Sequence, residues 1–185
     1  WVYRYGHPVF EVTKKYDVVN KQLVLNVKQT QKPDSSAAKD LQNILFRGKM
    51  EIAIDQRIET VWIKPSAVNI FYFNCEKEPR RVIFDHEGTW VKELIFDKTL
   101  PEWIYQVTAD GDVLARRDAM SALAALASDE KTSFADKQKI YASFRDVIGG
   151  NAYWRLRYMV TLQLQSLLAP ATETSPLKSD LETRK

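Results

Sequence analysis

The spacing of apolar residues changes near residue 100, and this change constrains the fold more than any other feature of the 185-residue chain. Before it, apolar and polar residues alternate, so that Leu23, Leu25 and Val27 point to one side of their segment. A period of two is typical of half-buried strands. After it, apolar residues recur at helical spacing. The sequence therefore predicts a β-rich part followed by a helical part, α+β as a whole.

Seven short strands are expected in the first part, each rich in β-branched or aromatic residues and bounded by turn-forming residues. They cover residues 8–14, 21–30, 50–54, 58–64, 67–74, 81–84 and 91–96. The polar stretch 31–43 reads as a loop, and Asp85 to Gly88 reads as a turn. Closely spaced strands with no helical pattern between them indicate an antiparallel β-sandwich over residues 1–99.

Four helices are predicted after residue 100. Pro101 suits the first turn of one helix, while Asp112 and Ser133 can cap the next two. Gly149-Gly150 should end the third helix by adopting the left-handed conformation. The fourth helix is expected over residues 154–168.

Helices of about 15 residues with short connections are typical of the stacked hairpins of HEAT or armadillo arrays. We therefore expect a helical-repeat segment over residues 100–168. Residues 169–185 are polar and should form a tail or a truncated helix.

Residue types that catalyse reactions or bind metals do not converge in this sequence. His7 and His86 are the only two histidines. His86 begins H-E-G-T-W, a near miss for the zinc-binding H-E-x-x-H in which Trp90 takes the place of the second ligand. Cys75 follows an apolar run and is expected to be a buried structural thiol. We therefore expect no catalytic residue, no metal ligand and no cofactor in this chain.

The aromatic residues of the first part allow two interpretations. A β-sheet that exposes them could stack nucleic-acid bases, whereas a sandwich would use them in its core or at an inter-domain face. The residues concerned are Trp62, Phe71, Tyr72, Phe73 and Trp90. The net charge is only +3, from 27 basic and 24 acidic residues, and it is not concentrated on one segment. We therefore favour core or interface, and expect no nucleic-acid partner.

The Arg116-Arg117-Asp118 triplet also has two interpretations. It could bind an anion, or it could form a surface ion pair and a hydrogen-bond bridge between neighbouring helices. We favour the second.

No apolar run approaches the about 20 residues that a membrane-spanning helix requires, and no secretory signal is present. We expect a soluble protein without a membrane segment, with the cytoplasm as the favoured compartment. The chain begins at Trp1 rather than methionine, so we expect a processed chain or a fragment.

Five motifs, in order, resemble the aminopeptidase N family of zinc metallopeptidases. W-V-Y-R-Y-G-H-P is similar to the W-x-x-x-x-G-[HY]-P stretch with which the family leaves its catalytic domain and enters a β-sandwich. L-V-L-N-V-K-Q-T-Q is similar to the family's L-x-L-x-V-x-Q-x-Q strand. The other three motifs lie at residues 79–94, 115–123 and 153–157 and resemble P-x-x-V-x-F-D…G-x-x-L-K-x-L, A-R-x-x-A-x-x-x-L and F-W-x-V-R.

The resemblance implies a parent hydrolase that binds one zinc and removes N-terminal residues from peptide substrates, with its zinc ligands upstream of Trp1. This chain would be a non-catalytic fragment that supports and partly encloses the catalytic domain of the same parent, its expected partner. Trp1, Tyr3, His7 and Pro8 would form the inter-domain contact. The alternative is an interaction scaffold from a catalytically inactive relative, similar to the aminopeptidase-like subunit of transcription factor TFIID.

Overall fold

A computed structural model of the chain describes residues 6–32 and 45–168. Across these residues the chain is α+β, with seven strands and four α-helices, as the change of spacing predicts. The strands are β1 (Val9–Asp17), β2 (Gln22–Gln29), β3 (Gly48–Ile54), β4 (Arg57–Ile63), β5 (Val68–Asn74), β6 (Val82–Phe84) and β7 (Glu93–Phe96). The helices are α1 (Leu100–Ala109), α2 (Val113–Ser128), α3 (Phe134–Gly149) and α4 (Trp154–Leu168). The chain divides into two compact units, residues 1–119 and 120–185.

The strands of the first unit form two sheets. One has the order β5-β2-β1-β7 and the other the order β4-β3-β6. Four of the five neighbouring pairs are antiparallel, but β7 runs parallel to β1, with Phe10 opposite Leu94. The expectation of a purely antiparallel arrangement was therefore wrong. A parallel pair needs a long crossover connection, and residues 18–92 separate these two strands.

Buried side chains from both sheets form one hydrophobic cluster, and this cluster is the core of the first unit. Phe10 and Leu25 come from the four-stranded sheet, whereas Ile52 and Phe84 come from the three-stranded one. The rings of Phe10 and Phe84 meet edge to face, with 5.3 Å between their centroids. The predicted alternation holds, because every second residue of β2 from Leu23 onward is buried. Burial of such side chains is the main favourable term in folding.

A buried glutamine joins three segments of this unit. The Gln29 side chain donates to the Phe46 carbonyl at 2.9 Å and accepts from the Phe46 amide at 2.7 Å. Its amide nitrogen also reaches the carbonyls of Lys64 and Ser66, both at 3.3 Å. Buried polar groups are costly unless they are paired, and here the pairing is nearly complete. The first glutamine of the Q-x-Q motif is therefore a structural residue.

The predicted helix starts are confirmed by their caps. Asp112 accepts hydrogen bonds from the amides of Leu114 at 2.8 Å and Ala115 at 3.2 Å. The Ser133 hydroxyl accepts from the Asp136 amide at 3.1 Å. Each cap satisfies amides that have no partner within their own helix.

The end of α3 differs from the prediction. The helix stops at Gly149 as expected, but the next residue, Gly150, has φ −90° and ψ −173°, which is extended rather than left-handed. In the second unit α3 and α4 pack together. Their buried residues recur at helical spacing, as Ile140 and Phe144 do on α3 and Leu156 and Val160 on α4.

Candidate functional site

A buried ion pair fixes α1 to the β3–β4 turn. Arg81 donates two hydrogen bonds to the Asp110 carboxylate, at 2.6 and 2.9 Å, and a third to the Asp55 carbonyl at 2.9 Å. The Asp110 side chain is fully buried, and its hydrogen bonds raise the pKa of Arg81 above the ordinary value. Asp110 also accepts from the Asp112 amide at 2.9 Å. The ion pair therefore sets the position from which α2 begins.

A second buried carboxylate organises the loop before β7. Asp85 accepts from the amides of Thr89 and Trp90, each at 3.0 Å, and pairs with the Lys92 ammonium. Asp85 itself has the left-handed φ of 62°. The predicted turn is confirmed as a short 3-10 helix, His86–Gly88.

The Asp85 network borders a cavity of about 350 Å³ in the first unit, which Asp112 also lines. Its lining combines the aromatic side chains of Trp90, Phe96 and Trp103 with charged ones, among them Asp85 and Arg117. Lys92 and Lys98 also line it. Ligand sites in proteins are concave, largely apolar and furnished with a few converging polar groups. This cavity is therefore the candidate functional site of the described residues.

Lys98 is the unusual residue of this cavity. Its Nζ donates to the Val82 carbonyl at 2.6 Å and to the Gln106 side-chain oxygen at 2.5 Å. The same nitrogen lies 4.5 Å from the ring centroid of Phe96 and 4.7 Å from that of Trp103. Burial lowers the pKa of Lys98 to about 7, because removal from water disfavours the charged form.

Sequence reasoning missed Lys98. The residue lies in Asp97-Lys98-Thr99, which joins β7 to α1 and carries no spacing signal. Gln106, its hydrogen-bond acceptor, also lacks a motif and is buried on α1. Only the packing of strand against helix reveals that these residues meet.

The structure describes two of the four residues that were predicted to form the inter-domain contact. His7 is about half exposed and its Nε2 lies 2.7 Å from Glu93 Oε1. Pro8 is buried where β1 meets β7, and its carbonyl accepts from the Glu93 amide at 3.0 Å. Trp1 and Tyr3 lie outside the described residues.

Groups that could bind a metal or act as a nucleophile are scattered. In residues 6–32 and 45–168, no three His, Cys, Asp or Glu side chains come together as a metal site would require. His86 Nδ1 is 3.5 Å from Asp112 Oδ2 without forming a hydrogen bond. Cys75 is only half-buried, contrary to the expectation, because it follows the end of edge strand β5; its Sγ accepts from Arg57 at 3.6 Å.

The aromatic residues divide into two groups. Phe73 is buried, and Phe71 and Trp90 pack against the core as predicted. Trp62 and Tyr72 are 59% and 63% exposed, so neither is a core residue, and an interface position stays the prediction for both. They lie on β4 and β5, each at one edge of its sheet.

The preferred interpretation of the arginine triplet is confirmed. Arg116 donates to the Val107 and Thr108 carbonyls at 2.8 and 3.4 Å, which bridges α2 to the end of α1. Arg117 and Asp118 form an exposed ion pair at 2.9 Å.

Comparison with known proteins relates the chain to a solved structure by its fold. It is similar to the crystal structure of Legionella pneumophila aminopeptidase A in complex with aspartic acid, with a TM-score of 0.63 and 13% sequence identity. The alignment covers 90% of this chain but 19% of that one, so this chain spans about a fifth of its length. No protein-family model and no curated protein matches the sequence. At this identity the likeness concerns the fold alone.

The helices of the described ranges offer no membrane span, since none of them is both long and apolar enough to cross a bilayer.

Proposed function

We propose that this chain is a non-catalytic structural part of an aminopeptidase-like protein. In this proposal the seven strands are a β-sandwich that supports and partly encloses a catalytic domain. The four helices are the beginning of a HEAT- or armadillo-like array. The parent would carry zinc and act on the N-termini of peptides through residues outside this chain.

The observation that carries the proposal is the match with the Legionella aminopeptidase. Nearly all of this chain, 90%, aligns with a small part, 19%, of a much longer one. A likeness of that kind is expected of one part of a multidomain protein. The order of the five sequence motifs points to the same class independently.

The motif residues support a structural role through their contacts. Gln29 joins β2 to two other segments of its unit, and Arg116 bridges two helices. Trp90 packs on the core, with 5.7 Å between its ring and that of Phe10. These side chains stabilise the fold and do not assemble reacting groups.

The contact with the catalytic domain is proposed at the start of the chain. Trp1, Tyr3, His7 and Pro8 belong to the motif that follows the catalytic domain in the resembled family. Of these residues, His7 is described with a half-exposed ring, which leaves it accessible to such a contact.

Two measurements test the proposal. The coding sequence upstream of Trp1 should contain H-E-x-x-H followed by a further glutamate, and the chain purified alone should not hydrolyse an aminoacyl anilide, with or without added zinc. Hydrolysis by the isolated chain that a chelator abolishes would refute a non-catalytic role. An upstream aminopeptidase-like domain that lacks the zinc ligands would instead establish an inactive scaffold.

A further inference from the structure

Strand β5 is an open edge of the four-stranded sheet. In the described part of the chain it pairs with β2 alone, through seven consecutive residue pairs without a bulge. The Cys75 amide donates to the Lys21 carbonyl, and this bond fixes the odd-numbered residues of β5 as those that bond to β2. The amides and carbonyls of the even-numbered residues Val68, Ile70 and Tyr72 therefore point to the free edge.

The same three residues expose apolar side chains. Val68, Ile70 and Tyr72 are 44%, 50% and 63% exposed. The strand contains no charged residue and no proline. An exposed apolar edge is a template for pairing with another chain, and proteins usually protect such edges by charge, by shortness or by a cover. Within the described ranges, β5 has none of these protections.

The three other edge strands that the structure describes are protected. β6 has only three residues, and all of them are buried. β7 has four residues and begins with the charged Glu93. β4 carries the ion pair of Arg57 and Glu59, with 3.4 Å between the charged groups. This contrast marks β5 as the edge that is suited to strand pairing.

The strand that complements β5 is the β5 strand of a second copy, turned antiparallel. A two-fold axis at Ile70 places this residue opposite its own copy and places Val68 opposite Tyr72. Each of these pairs can exchange two hydrogen bonds, because all three residues direct their amides and carbonyls to this edge. No like charges meet along the segment, and an aromatic residue opposite a β-branched one is a favourable cross-strand pair.

We propose that β5 is an interface between two copies of this chain, which join their four-stranded sheets into one continuous sheet. Three exposed side chains per copy give less contact area than the about 800 Å² per partner of a stable interface. The dimer is therefore weak and dissociates on dilution. The pairing does not depend on whether the parent protein is catalytically active.

Sedimentation velocity of the whole chain tests the association. From about 5 µM to about 500 µM, a range that covers weak complexes, the average mass should rise from 21.4 kDa toward twice that value. Ile70→Lys places two ammonium groups opposite each other and should raise the dissociation constant by about tenfold or more. Ile95→Lys is the matched control, because Ile95 is 60% exposed on β7, the other edge of the same sheet. It should associate as the wild type does.

Amide hydrogen exchange of the wild type locates the interface without a substitution. Mass spectrometry at residue resolution compares the two ends of the concentration range. The amides of Val68, Ile70 and Tyr72 should exchange about tenfold more slowly in the concentrated sample. The amides of Asn69 and Phe71 bond to β2 within each copy and are the internal reference.

Three results would overturn the proposal. The first is a chain that stays monomeric over the whole range. The second is association that survives Ile70→Lys. The third is equal exchange in both samples at Val68, Ile70 and Tyr72, which would place any dimer contact elsewhere.

Discussion

Replacement of Lys98 by methionine should change how the stability of the first unit depends on pH. Methionine fills a similar volume but cannot bind a proton. The folded-state pKa of Lys98 is lowered from 10.5 to about 7. Between these two values the unfolded chain binds more protons than the native one, so wild-type stability should rise as pH increases through this window. Below pH 7 both states are protonated and the cost of burial is fully present.

The size of the effect follows from this shift. Each pKa unit corresponds to about 1.4 kcal/mol, so burial of Lys98 costs about 4 kcal/mol at pH 7 and about 2 kcal/mol at pH 9 by proton linkage. From pH 7 to pH 9 the wild type should therefore gain about 2 kcal/mol relative to Lys98→Met. The substitution also removes the amine that donates to Val82 and Gln106, which changes the absolute stability of the variant. This change is the same at every pH, so it does not alter the pH dependence.

Urea unfolding at pH 7, 8 and 9, followed by tryptophan fluorescence, measures this difference. With a slope of about 2 kcal/mol per molar urea, the wild-type midpoint should move by about 1 M relative to the variant. Lys15→Met is the matched control at an exposed position and should keep the wild-type pH dependence. Parallel pH profiles for wild type and Lys98→Met would refute the reasoning. They would mean that the two oxygen acceptors and two rings hold the ammonium form.

Three further substitutions test the structural contacts. Asp110→Asn leaves the guanidinium of Arg81 without its counter-ion, and we expect a loss of about 3 kcal/mol in urea unfolding; an unchanged midpoint would contradict a stabilising role of the pair. Ser133→Ala removes the cap of α3 and should cost about 1 kcal/mol by thermal unfolding, whereas Ser133→Asp should preserve stability. Gly48→Ala would place a methyl carbon 2.8 Å from the Trp90 ring. It should lower stability by about 1–3 kcal/mol and alter the near-ultraviolet circular dichroism, while an unaffected spectrum would show that the ring has room to move.

Element types and most boundaries were predictable because their signals are local. The alternation of Leu23, Leu25 and Val27 places three side chains on one face of any strand they form. Ser133 predicted its cap from the residue type alone, and the structure shows the hydrogen bond. The Arg116 bridge was also predictable, since a long cationic side chain at a helix start can reach carbonyls of the preceding helix.

Strand order and burial at the edges were not predictable from the same signals. Trp62 and Tyr72 are residue types that are common in protein cores. In this fold they lie on edge strands and more than half of each side chain is exposed. The parallel pairing of β1 with β7 depends on how the intervening residues 18–92 fold. Alternation along one strand predicts which residues share a face. It does not predict which of the two faces another element covers.

The sequence by itself determined where strands change to helices, which residues cap those helices and how small the net charge is. The tertiary structure alone decided that Lys98 would lose its water. The Asp97-Lys98-Thr99 connection is hydrophilic and carries no spacing signal, but the side chains of Phe96, Trp103 and Gln106 surround the amine in the folded unit. Periodicity is a property of neighbouring residues, whereas desolvation depends on every segment that packs nearby. Residues far apart in sequence therefore set the charge state of this lysine.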